Sequence, residues 1–231
     1  MGEPLFSPVN GGRVSGEIAD RIKAAIRAGA LGPGDQLPAE RDLTKQLGVS
    51  RVSVRDALRM LEANGLIEVR VGARGGAFVT APAPKLVGEG LADMLLLADV
   101  DAAQVTEVRM IFELGLLELA CERATEEDVA ALHEICDRAD ALVAYEPSLS
   151  AEFHIQLARC THNRALALFA EALRAPLASS VERAHAAHAD AGRVGGREHR
   201  AIADAVAARD VAGARRVMRE HLGRTALRVG R

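Results

Sequence analysis

Residues 49–66 read VSRVSVRDALRMLEANGL and follow the run QLPAERDLTKQLG at 36–48. Arg51, Arg55 and Arg59 fall at i, i+4 and i+8, so one side of a helix carries all three. Val54, Leu58 and Leu61 form an apolar stripe on another side. Ser50 suits the N-cap, because its hydroxyl can accept from the backbone N–H of Val52 or Ser53. Val49 and Val54 hold the staple positions around that cap. A short helix, a turn containing Gly48 and a capped helix with an arginine row make the pattern of a helix-turn-helix. The second helix of that motif enters the major groove. A solvated amphipathic helix pair would carry the same arginines, so the flanking sequence decides.

Downstream, LIEVRV at 66–71 is followed by GARGG and then AFVT at 77–80. Ile67, Val69 and Val71 alternate with polar residues, which reads as a hairpin with a Gly-rich tip. Helix, helix, hairpin is a winged helix, and Arg70 and Arg74 on the wing suit a phosphate backbone or a minor groove. Upstream, Val14, Ile18, Ile22 and Ile26 recur every four residues, predicting a helix over 14–28. Pro38 suits the first position of a helix running to about Leu47.

LPAERDL, GVSRVSVRDALRMLEANGLIEV and GGAFV, in this order and spacing, resemble the GntR family of bacterial transcription regulators over about residues 14–80. The resemblance implies DNA contacts from Arg41, Ser50, Arg51, Ser53, Arg55 and the wing-tip Gly72. Val52 stands where threonine is common in such proteins. Arg59 is expected in a structural or phosphate role.

The chain has 231 residues, room for one large or two modest domains, and a net charge of −3. Residues 1–80 hold 11 Lys/Arg against 9 Asp/Glu, whereas the remainder holds 18 against 23, so basic character sits with the motif. Cys121, Cys136 and Cys160 are widely spaced, without a CxxC pair, and read as buried reduced thiols of a cytoplasmic protein. The start MGEPLFSPVNGG lacks a basic-then-apolar secretion pattern, and residues 1–13 read as a flexible arm. The longest apolar run, Met94 to Ala98, is too short to cross a bilayer. No phosphate-cradling loop ending in Lys-Ser/Thr and no serine nucleophile elbow occurs.

Ala81-Pro-Ala-Pro84 breaks the composition, so 81–85 is read as a linker between a domain at 14–80 and another at 86–231. Beyond it the periodicity is helical throughout: 86–97, 101–123, a helix capped by Thr125, 149–161, 164 to about 187, 197–208 and 211–228. Gly195-Gly196 is assigned to a loop. The expected fold is therefore mainly α. A winged helix-turn-helix precedes an antiparallel bundle of about seven helices.

All seven histidines follow residue 130. His154, His199 and His221 point inward by periodicity on three separate helices. Inward imidazoles can converge on a metal ion. They can equally be separate core histidines, each bonded to a carbonyl or carboxylate. His185 and His188, spaced i, i+3, read as a solvated face, and His133 and His162 as surface or packing residues. Asn163 reads as a cap of the next helix, ahead of a pocket-lining role.

EVRMIFELGLLELA, EFHIQLARCTHN and REHRAIADAVAARDVAGARRVMREHL resemble the C-terminal ligand-binding (FCD) domain of the FadR subfamily within that family. That resemblance implies a small organic-acid effector held in part by Arg109, whose guanidinium can pair with a carboxylate in fork geometry or instead with Glu113 one turn on. It also implies a divalent metal (Zn, Ni or Mn) on one aspartate and three histidines. His154, His199 and His221 match the histidine places, but Ser150 stands where the aspartate belongs. The expectation is a homodimeric, cytoplasmic repressor binding double-stranded operator DNA under control of a small carboxylic acid, with no membrane association and no enzyme activity. The rival from another class is a metal-dependent hydrolase using the three histidines.

Overall fold

The computed structural model describes residues 12–72, 75–142, 146–174 and 191–229. The chain divides into two compact units, Met1–Leu86 and Val87–Arg231. Residues 1–11 of the expected arm, Arg74 on the wing, and His185 with His188 lie outside the described residues.

The first unit contains α1 (Gly12–Arg27), α2 (Glu40–Leu47), α3 (Arg51–Ala63), β1 (Ile67–Arg70) and β2 (Gly76–Val79). Ile18 and Ile22 of α1 meet Val54, Ala57, Leu58 and Leu61 of α3, and Leu37, Leu43, Ile67 and Val79 close the core. Burying each large aliphatic side chain contributes about 1.5–3 kcal/mol. Val54 and Leu61 are fully buried, so the apolar stripe orients α3 and leaves its arginines outward. The Ser50 hydroxyl accepts from Ser53 N–H at 3.1 Å and caps α3. Gly48 ends α2 at φ 67, a left-handed C-cap that a residue with a Cβ adopts only under strain.

α2 begins at Glu40 rather than at Pro38, because the preceding residues are committed to the wing. Leu37 N–H donates to Ala77 carbonyl at 2.8 Å, and Gln36 bridges Phe78. β1 and β2 pair antiparallel with Ile67 opposite Val79. Of the alternating wing residues, Ile67 is buried, whereas Val69 and Val71 are exposed. At Gly76 a Cβ would stand 2.5 Å from Gln36 Nε2, so glycine lets the Gln36 side chain reach Gly75 carbonyl.

The second unit is helical. α4 (Pro84–Leu97) enters it, followed by α5 (Ala102–Arg123), α6 (Glu126–Asp140) and α7 (Pro147–Arg159). A helical stretch over 164–174 (α8), α9 (Ala191–Ala207) and α10 (Val211–Val229) complete it among the described residues. α4 starts two residues before the expected Leu86, since Pro84 fits a first turn, where an N–H has no helical acceptor. Capping boxes at Asp101/Gln104 and Thr125/Asp128 start α5 and α6. Asn163 Oδ1 accepts from Ala165 and Leu166 N–H and starts α8, the cap role expected of it. α10 packs on α5 and α9, and α6 on α7 and α9. Their core joins Leu117, Cys121, Leu132, Cys136, Phe153, Leu157, Cys160, Ile202, Val206, Met218 and Leu222, and all three cysteines are free thiols within it.

Gly195-Gly196 lies inside α9, which starts six residues before the expected Arg197. Low glycine propensity costs about 1 kcal/mol per residue, and packing of a partly buried turn against neighbouring helices outweighs that. The outer faces are apolar in places. Leu96 and Leu97 of α4 are 77% and 86% exposed, Ile111 of α5 is 78% exposed and Phe169 of α8 is 63% exposed.

Candidate DNA-reading helix and histidine pocket

The residues expected to touch DNA occupy the outer side of the first unit. Arg41, Ser50, Arg51, Arg55 and Gly72 are exposed, and Ser53 is half-buried beneath the cap. Arg55 is steered by Glu40 of α2, whose carboxylate accepts from its Nη2 at 3.1 Å. Ser50 and Ser53 hydroxyls lie 2.9 Å apart. Arg59 stays loosely beside Asp56 at 3.9 Å. On the wing, the Arg70 guanidinium lies 4.3 Å over the Phe78 ring while bonding Glu68. Gly72 takes φ 116 at the turn.

In the second unit, α7, α9 and α10 bring His154, His199 and His221 together. One ring nitrogen from each lies within 4.8 Å of the others, and all three residues are buried. Phe153, fully buried, stacks on His199 with ring centroids 4.3 Å apart and fixes that ring. A carboxylate stands beside each of the other two rings. His221 Nδ1 donates to Glu198 Oε2 at 2.9 Å, and Arg224 pairs with the same carboxylate. Glu113 Oε2 lies 2.5 Å from His154 Nδ1, a close contact set off the hydrogen-bond direction. Arg109 Nε donates to Glu113 Oε1 at 2.5 Å, both residues being buried on α5.

Two arginine–carboxylate–imidazole chains thus converge, and each puts its carboxylate on Nδ1. A carboxylate bonded to Nδ1, as Glu198 is to His221, leaves Nε2 unprotonated, the tautomer a metal ligand needs. Burial pushes His154 down to about 4, with Arg109 acting the same way against the pull of Glu113, so the ring is neutral at pH 7. Burial alone would raise Glu113, but Arg109 and then His154 outweigh it and hold it near 2, so it is ionised. His154 Nε2 is buried and makes no hydrogen bond among the described residues. A divalent cation fits this donor set: three buried imidazoles with ring nitrogens close together, of which His154 Nε2 makes no hydrogen bond among the described residues.

A cavity of about 380 Å³ opens beside His154. Arg109, Glu113, Ser148, Ser150 and Arg174 supply its polar lining, and Phe112, Ile155 and Leu173 its apolar wall. Arg109 pairs with Glu113 and also lines the cavity. Ser150 is half-buried on α7 one turn before His154. Glu152 does not substitute for an aspartate there, since it is bound by Arg138 Nη2 at 2.5 Å. Sequence reading missed Glu198 and Arg224. Arg224 stands at i, i+3 from His221 on α10, but Glu198 reaches His221 only through the α9–α10 packing. Half-buried His133 bonds Asp204, and exposed His162 bonds Asp128, away from the histidine cluster.

Residues 14–79 match the model for bacterial regulatory proteins of the gntR family, and residues 104–224 match the FCD domain. An uncharacterized HTH-type transcriptional regulator of Mycobacterium tuberculosis is 34% identical over 97% of this chain and 93% of its own length. A putative L-lactate dehydrogenase operon regulatory protein of Escherichia coli is 32% identical over 91% of this chain and 84% of its own length. Streptococcus agalactiae GntR, at 22% identity, shares the fold with a TM-score of 0.66 over 94% of this chain and all of that one. Nothing among these supports the hydrolase alternative. The chain belongs to the GntR family of bacterial regulatory proteins, in the FCD-bearing branch, and is a DNA-binding transcription regulator rather than an enzyme.

Proposed function

We propose that this regulator is a homodimeric, cytoplasmic repressor. It holds two half-sites of a pseudo-palindrome in double-stranded DNA, and a small carboxylic acid entering the α5–α7 cavity loosens that hold. The observation that carries this reading is the cavity itself, which sets one buried and one exposed guanidinium beside an imidazole against an apolar wall. A guanidinium fork and a neutral imidazole suit a carboxylate, and the apolar wall suits a short carbon chain. The likeness to a putative L-lactate dehydrogenase operon regulatory protein supports a small hydroxy acid as the first to try.

DNA contact rests on Arg41, Ser50, Arg51, Ser53, Arg55 and Gly72, with Arg51 and Arg55 on the outward side of α3. His154, His199 and His221 would hold a divalent metal (Zn, Ni or Mn), and the metal, when bound, supplies a Lewis-acidic anchor for an oxygen of the acid. Arg109 neutralises the acid's charge, and Glu113 fixes Arg109 and the His154 ring together. Exposed Leu96, Leu97, Ile111 and Phe169 supply apolar surface of the kind dimers bury. Control requires that the acid bind one arrangement of the dimer better than the other.

The test is a titration of lactate and other short carboxylic acids against a labelled duplex from the gene's own upstream region, at one fixed salt concentration. An effective acid should raise the DNA Kd about 5–150-fold, the usual range of coupling between sites. A Kd indifferent to every acid that calorimetry shows to bind refutes the control. Arg51→Ala or Arg55→Ala should cost about 1–3 kcal/mol of DNA binding if each reads a base.

A further inference from the structure

α3 carries an apolar side chain that the core does not use. Val52 is 69% exposed, whereas Val54, Ala57, Leu58 and Leu61 of the same helix are at most 6% exposed. At about 100° per residue, Leu61 stands about 180° from Val52, while Arg55 and Arg59 stand within about 60° of it. Val52 therefore projects straight away from the domain core, in the first turn after the Ser50 cap and among exposed Arg51, Arg55 and Arg59. A β-branched residue gains nothing in helix propensity there.

The leading turn of a recognition helix is the part that meets base edges. The major groove presents donors and acceptors at every base pair, and one apolar group, the C5-methyl of thymine. Two branched methyls on a rigid χ1 match that group and have no hydrogen bond to offer any other edge. The geometry points to Val52 as a specificity residue that reads the methyl of one thymine in each half-site, by apolar contact between the arginines. This inference rests on the DNA-binding reading of α3.

The probe is a duplex enriched from a random pool by the full-length protein. Its thymines are then replaced singly by uracil, which deletes the methyl and leaves base pairing and charge intact. One position per half-site should show a loss of about fourfold, the worth of one methyl, and about fifteenfold when both half-sites are changed. Val52→Ala should lose a similar factor on the thymine duplex and become indifferent to uracil at that position. Its salt dependence should be unchanged, because no phosphate contact is lost. Val52→Thr, which keeps one branch methyl, should retain part of the thymine preference. At so exposed a site, each variant should keep the parent Tm.

A uracil scan that is flat across every thymine overturns the inference. So does a uracil penalty of the same size in Val52→Ala, which would assign the methyl contact to another side chain. Failure to enrich any duplex overturns the DNA-binding reading itself, and the inference with it.

Discussion

Replacing Arg109 with methionine keeps the aliphatic stem and strands the Glu113 carboxylate. Both side chains are buried and joined at 2.5 Å, with 6% and 5% of their surface exposed. Removing one partner of a buried ion pair costs about 3–5 kcal/mol, because the other charge is left desolvated. For a domain of this size that is a Tm lower by about 6–20 °C. The pH dependence should also change sign. In the parent protein Glu113 titrates near 2, below its ordinary 4.5, so its contribution is present above about pH 4.5 and is lost as pH falls towards 2. Without Arg109, burial becomes the dominant influence and lifts the carboxyl above its ordinary value. The folded variant then holds a proton that the unfolded chain releases, and its stability falls as pH rises from about 5 to 8. Urea denaturation of the full chain at pH 5 and pH 8 reads both effects. Arg109→Met combined with Glu113→Leu should recover most of the loss, since no charge is left stranded. A single-variant loss under about 1 kcal/mol, or a double variant no better than the single, refutes the account of this pair.

Three further outcomes follow from other parts of the molecule. Ser150→Asp places a carboxylate in the cavity one turn before His154; it should tighten Zn²⁺ or Ni²⁺ binding at least about 10–100-fold in competition with a chromophoric chelator, as Coulomb attraction exceeds the local desolvation. An affinity unchanged by that carboxylate would count against the histidine cluster as the metal site. Gly88→Ala brings a Cβ to 2.2 Å from Ala172 carbonyl and should destabilise by about 1–3 kcal/mol, whereas Gly90→Ala, with nothing within 4 Å, should be neutral or stabilise by up to about 1 kcal/mol in the same thermal melt. Burial pushes the Cys136 and Cys160 thiols up to about 11 and about 12. Both should resist a thiol-reactive dye at pH 8 in the native protein and react at once in urea, with native reactivity appearing only as pH climbs towards those values.

The sequence by itself determined the elements and their order, because short-range physics specifies them. The Ser50 and Thr125 caps, the stripe of Val54, Leu58 and Leu61, and the Gly-rich wing tip each act within one helical turn or one hairpin. The inward direction of His154, His199 and His221 was legible for the same reason, since periodicity fixes which face of a helix a residue occupies. Tertiary structure alone decided what those faces meet. Pairing of 36–37 with the wing delays α2 to Glu40, and packing against neighbouring helices carries α9 through Gly195-Gly196. Glu198 reaches His221 across 23 residues. Glu113, one turn from Arg109 on α5, meets His154 only because α7 packs on α5. Local spacing cannot encode such meetings, because they depend on how whole helices stack, and that is set by the summed burial of side chains distant in the chain.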